Sequence, residues 1–129
     1  MTSALFGLSG LAPEGVGQNF RSTMRRFPAT VTVITACASG DQRDHGMTVT
    51  AVTSVSMEPP CLLVCLNKRT LLHELLLCRP DFIVNVLTQD QMALSDAFSG
   101  KVPPEERFRD GQWQGHDNGV LYLPTAHAA

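Results

Sequence analysis

Between residues 30 and 57 the chain runs twice through one pattern. Thr30 to Cys37 (TVTVITAC) and Met47 to Met57 (MTVTAVTSVSM) are dense in β-branched residues and alternate on a two-residue period. Successive side chains of a strand point to opposite faces, so this period suits a half-buried sheet and no helix. The polar run Ser39 to Gly46 (SGDQRDHG) between them reads as a turn, which makes the two runs a hairpin. Pro59 and Pro60 then break the ladder. Cys61 to Leu66 (CLLVCL) forms a third strand, apolar on both faces and therefore central or at an interface.

The flanking segments read as short helices and one more strand. Asn19 can cap a helix carrying Phe20, Met24 and Phe27 at helical spacing, stopped by Pro28. Asn67, Lys68, Arg69 and Thr70 make a polar step into an apolar helix, Leu71 to Cys78, with Thr70 as its cap and Pro80 beyond its end. Phe82 to Leu87 (FIVNVL) is a fourth strand interrupted by Asn85. Thr88 and Gln91 have capping-box spacing and open a helix to about Phe98. After Gly100 the chain turns polar and loop-like, up to a short LYLP near residue 124. At 129 residues this is one domain, residues 19–129, behind a disordered leader, residues 1–18. The strands arrive in hairpin order, and no GxGxxG turn joins a strand to a helix. The expected fold is mainly β with α: an antiparallel barrel with helices on its outside.

Several function classes drop out. A formal net charge of -2 supplies no basic field for a phosphate backbone, so nucleic acid is not an expected partner. The apolar runs stop well short of the ~20 residues of a membrane helix. The N-terminus lacks the basic start of a secretory signal, and the four cysteines, Cys37, Cys61, Cys65 and Cys78, are expected as buried free thiols in a reducing cytoplasm. Cys61 and Cys65 have no further ligand at zinc-like spacing, so no metal is expected. His45, His73, His116 and His127 are the candidate bases, but no GxSxG elbow accompanies them, and each reads as a surface histidine. Glu105, Glu106, Asp110 and Asp117 lie in a solvated loop.

What remains is a strand of small and hydroxyl residues, Thr48, Thr50, Thr53, Ser54 and Ser56, followed one strand later by the step from Asn67 to Thr70. Two readings stay open. Thr and Ser suit exposed positions of a sheet, with Lys68 and Arg69 a solvated turn. Alternatively, two cations, a hydroxyl and the free amides of a helix start converge as an anion site, beside a strand with room for a flat ring.

The runs FRSTMRRFPATVTVIT, HGMTVTAVTSVSMEPPCLLVCLNKRT, FIVNVL and AFSG resemble, in order and spacing, the flavin reductase-like family of FMN-binding split barrels. Its most specific piece is G-M-T-V-x-x-x-x-S-x-S-x-x-P-P followed by a strand. The resemblance implies a Greek-key split β-barrel with flanking helices, a homodimer, and a reductase that moves a hydride from NADH or NADPH to FMN or FAD for a separate monooxygenase. By position, Thr48, Val49, Thr50 and Ala51 would line the isoalloxazine through backbone groups. Cys65, Leu66, Asn67, Lys68 and Thr70 would hold the ribityl chain and phosphate, and Phe98 the far side. No residue is implied as acid, base or nucleophile, since hydride transfer is the cofactors' own chemistry. Thr30 stands where many members carry glycine. The family's usual further strands, with a Gly-Asp-His segment, are not present after Ala129, which keeps open a flavin-binding module without turnover and a structural domain that has lost its ligand.

Overall fold

The computed structural model describes residues 15–38 and 43–129. Helix α1 (Val16–Met24) leads into strand β1 (Thr32–Cys37), and β2 (Asp44–Val49) returns beside it. Strands β3 (Val52–Met57) and β4 (Pro60–Val64), helix α2 (Leu71–Cys78) and strand β5 (Ile83–Val86) follow. A 3-10 turn (Gln89–Gln91) runs into α3 (Met92–Asp96) and a π turn (Ala97–Lys101), and β6 (Gln114–Gly115) and β7 (Leu121–Tyr122) close the order.

All pairings are antiparallel, as the hairpin order implied. They form three sheets, β2-β1-β5, β3-β4 and β6-β7, and among the described residues no single sheet closes into a barrel. Strand β1 is the hub. All six of its residues are buried, with Ile34 opposite Met47 on one side and opposite Val84 on the other. Its two faces feed two cores. Val33 packs with Leu94, Phe98 and Leu123, while Ile34 and Ala36 pack with Val49 and Leu72. Near the chain end, Val86 N donates to Ala128 O (2.8 Å) and His127 N to Val86 O (2.8 Å), which extends the sheet past β5.

One buried polar knot ties the first core together. Asn85 donates to Val33 O (2.9 Å) and Thr35 Oγ1 (3.2 Å) and accepts from Leu123 N (2.8 Å). Thr35 Oγ1 in turn donates to Leu121 O (2.6 Å). The polar residue that interrupts FIVNVL therefore stitches β5 and β1 to the C-terminal segment, and every member is satisfied.

Several expectations need correction. The run Met47 to Met57 is two strands in two sheets, because the chain turns a corner at Thr50 and Ala51. There Val52 N bonds Thr50 O (3.0 Å) and Cys65 N bonds Ala51 O (3.0 Å). Alternation continues on both sides of such a corner, so the period does not reveal it. Strand β4 is not central in this chain. Among the described residues it pairs with β3 alone, and Leu62 and Leu63 are 49% and 51% exposed. Of the thiols only Cys37 is buried, while Cys61, Cys65 and Cys78 are exposed. Helix α1 is capped by Gly15, in the left-handed region at φ 90°, and Asn19 sits inside the helix. The apolar residues of α1 and its end are left largely exposed, with Phe20 63% and Phe27 62% exposed. The leader lies largely outside the described residues, but residues 16–18 are already helical.

Candidate functional site

The corner and the polar step meet. The bond from Cys65 N to Ala51 O places the exposed Thr50 and Ala51 beside the stretch that enters α2. That stretch is built by its own side chains. Asn67 Oδ1 accepts from Arg69 N (2.9 Å), and Asn67 O accepts from Thr70 N (3.0 Å) and Thr70 Oγ1 (2.7 Å). Asn does this because its short amide mimics a backbone turn. Thr70 caps α2 as expected, its Oγ1 accepting from His73 N (3.3 Å). The tight turn leaves Lys68 and Arg69 exposed at its tip, next to the positive end of the helix dipole. Among the described residues the amides of Leu71 and Leu72 have no acceptor, as befits the first turn of a helix.

Of the ten residues singled out in sequence, six share this surface: Thr50, Ala51, Cys65, Asn67, Lys68 and Thr70. Leu66 is half-buried against the second core. Thr48 and Val49 continue the strand inward. The Thr48 hydroxyl donates to Ser95 O (2.7 Å), which ties β2 to α3, and Val49 is part of the core. Phe98 stands apart. Its ring is 0% exposed and packs against Phe108 (5.1 Å between centroids) and Trp113 (5.3 Å), so it supports β2 from behind rather than walling a ligand.

A second concavity was not expected. Space of about 700 Å³ opens between Ala38, Arg43, Asp44 and His45 on one side, Leu71 and Leu75 of α2, and residues Pro104, Glu105 and Phe108. His45, read from sequence as a surface histidine, is only 6% exposed and lines it. Burial, and then the Arg107 guanidinium, hold the imidazole below its ordinary value of 6.5. Arg107 is itself anchored to Gly46 O (3.0 Å) and Val102 O (3.0 Å). A hairpin turn sequence carries no signal for this, because both flanking elements come from more than twenty residues away.

The sign of the pH dependence follows. The unfolded chain binds a proton at His45 more readily than the folded one, so stability rises with pH through this window. Equilibrium melts are expected to lose stability as pH falls below 6.5, down through the lowered folded value, and His45→Gln to flatten that slope. Asp44, raised by burial above 3.8, acts with opposite sign in the window just above that value. An unchanged slope in the variant would show that His45 is not the group responsible.

With this geometry in view, the family model described as "Flavin reductase like domain" matches residues 24–129. The reductase component of FADH(2)-dependent resorcinol hydroxylase from Rhizobium sp. (strain MTP-10005) is 91% identical over 129 residues, covering 100% of this chain and 72% of the relative. "FMN reductase (NADH) RutF" of Ancylobacter novellus is 39% identical over 118 residues, covering 92% of this chain and 64% of the relative. The solved NADH:FAD oxidoreductase of Streptomyces globisporus C-1027, in complex with NAD and FAD fragments, superposes with a TM-score of 0.77 at 28% identity, over 89% of this chain and 67% of that one. The chain thus spans about two thirds of the length of these relatives.

Proposed function

This chain belongs to the flavin reductase-like domain family, and from that premise we propose that it binds FMN or FAD and serves NADH- or NADPH-dependent flavin reduction for a separate oxygenase. The observation that carries the reading is the junction of corner and step, where the Ala51 carbonyl holds Cys65 and so sets small exposed residues beside a helix start with Lys68 at its tip. The residues fit the group. Thr50 and Ala51 leave space and backbone polar groups for a flat ring, and the open amides of α2 with Lys68 suit a phosphate. The relative at 91% identity is named as a reductase component, and its hydroxylase is named for a phenolic substrate, which supports an oxygenase of phenolic rings as the partner.

The flavin, when bound, supplies the hydride-accepting chemistry. The chain's own contribution is placement. Asn67 and Thr70 rigidify the loop so that its backbone needs no ordering when Lys68 meets the phosphate, and only the lysine side chain has to be fixed. Thr48, bonded to Ser95 O, keeps the β2 end of the corner from shifting. No group here needs to give or take a proton.

NADH oxidation that depends on added flavin tests the reading, and flavin binding without turnover would reduce it to a binding module. Lys68→Glu is expected to weaken FMN binding by about 1–3 kcal/mol, the range of a charge-assisted contact, and riboflavin binding far less. Equal affinity of wild type and variant in a fluorescence titration would remove Lys68 from the site.

We also read the protein as a homodimer in the reducing cytoplasm. Val55 (64% exposed), Met57 (85%), Leu62 and Leu63 leave the β3–β4 sheet with apolar surface that a second copy would cover. Among the described residues no helix is long and apolar enough to cross a membrane. Thiol labelling separates the states. Cys61 and Cys65 on and beside β4 should react fast in dilute protein and slow down as concentration rises, with Cys37 protected throughout. Concentration-independent labelling of Cys61 and Cys65 would place any dimer contact elsewhere.

A further inference from the structure

We propose that the cavity beside His45 is a second ligand site, for a small, uncharged, hydroxylated aromatic ring. It uses none of the ten residues assigned to the flavin, and at about 700 Å³ it lies in the ordinary size range of small-molecule sites. Three observations give its chemistry. Leu71, Leu75 and the ring of Phe108 supply apolar walls, which favour a flat carbon skeleton.

His45 supplies the polar contact. It is 94% buried by its 6% exposure, yet its imidazole makes no hydrogen bond to any described residue, although no fully buried side-chain nitrogen or oxygen among them lacks a partner. Its ring nitrogens are therefore not sealed off, and since His45 lines the cavity, a ligand there can meet a polar group that no described residue engages. A neutral imidazole offers one donor and one acceptor, the complement of a phenolic hydroxyl.

Charge decides the rest. Asp44, Glu105 and Arg43 line the cavity, and the Arg107 guanidinium, held on Gly46 O next to His45 in the chain, makes two groups of each sign. Such a set selects for neither a phosphate nor a cation. The proposal does not depend on flavin reduction, since occupancy is read without turnover.

The test titrates the intact chain with resorcinol, a dihydroxybenzene, and with m-xylene, which has the same outline and no hydroxyl, following the His45 imidazole by NMR. Resorcinol is expected to shift it saturably, and m-xylene to bind at least about tenfold more weakly, the size of one buried hydrogen bond. His45→Phe should remove that difference. Lys68→Glu should leave resorcinol binding unchanged while weakening FMN, which separates this site from the flavin site. No saturable shift at His45 in the wild-type chain, equal affinity for the two compounds, or displacement of resorcinol by FMN would each overturn the proposal. The wild-type titration decides even if the histidine variant fails to fold.

Discussion

Asn85→Leu is expected to destabilise the chain by about 2–4 kcal/mol, although leucine has nearly the same volume and would complete the apolar pattern of FIVNVL. Asn85 is 0% exposed and holds three partners. Leucine would leave the Leu123 amide buried without a partner, at a cost of about 1–3 kcal/mol, and would take the side-chain donor from the Val33 carbonyl, which keeps its place opposite residue 85 in the β1–β5 ladder. Thr35 Oγ1 would keep only its donation to the Leu121 carbonyl and, weakly, to Ile83 O (3.5 Å). Because the knot joins β5 and β1 to residues 121–123, the C-terminal segment should loosen first. Thermal melts are expected to shift down by roughly 10–20 °C, and amide exchange at Leu123 to rise even where the rest of the sheet stays protected. A variant that melts within a few degrees of wild type would mean that a water or a rearranged neighbour takes over the partners.

Gly46→Val is the second large effect, and it connects the core to the site. A Cβ at Gly46 would sit 2.6 Å from one carbon of the Phe98 ring and 2.9 Å from another, with Phe108 at 3.3 Å. Those rings cannot swing away, since Phe98, Phe108 and Trp113 hold one another at centroid distances of 5.0–5.3 Å. Alanine is expected to cost about 1–3 kcal/mol by overpacking, and valine more. The strain is released along β2, so the corner at Thr50 and Ala51 should move and flavin affinity fall together with stability. Gly115, with nothing within 4 Å of its added Cβ, is the control: Gly115→Ala should stay within about 0.5 kcal/mol. If Gly46→Val melted like Gly115→Ala, the aromatic cluster would have to be far softer than its packing indicates.

Local chemistry was the part legible in advance. The α2 boundaries at Leu71 and Cys78 came out as read, because a threonine cap and a proline stop act over a few residues. The Thr88 and Gln91 pair does the same at the next helix, with Thr88 N donating to Gln91 Oε1 (2.8 Å). The antiparallel hairpin needed only alternation and a polar turn. The motif from Gly46 to Pro60 named the family, since its small residues and prolines stand at the corner and at the start of β4.

What alternation and spacing left open were the relations between distant segments. A strand apolar on both faces, such as CLLVCL, reads identically whether neighbours in the same chain cover it or another molecule does, and only the fold put β4 at an edge. Thr50 and Ala51 became a corner because Cys65, fourteen residues on, bonds the Ala51 carbonyl. Asn85 became a knot and Phe98 a buttress through partners 38 to 52 residues away in one case and across the aromatic cluster in the other. His45 passed from a turn residue to a buried cavity wall for the same reason. Caps, turns and periods are set by neighbours within about one helical turn, so a sequence carries them openly. Burial and polar satisfaction depend on which remote segment arrives, and that is decided only when the chain has folded.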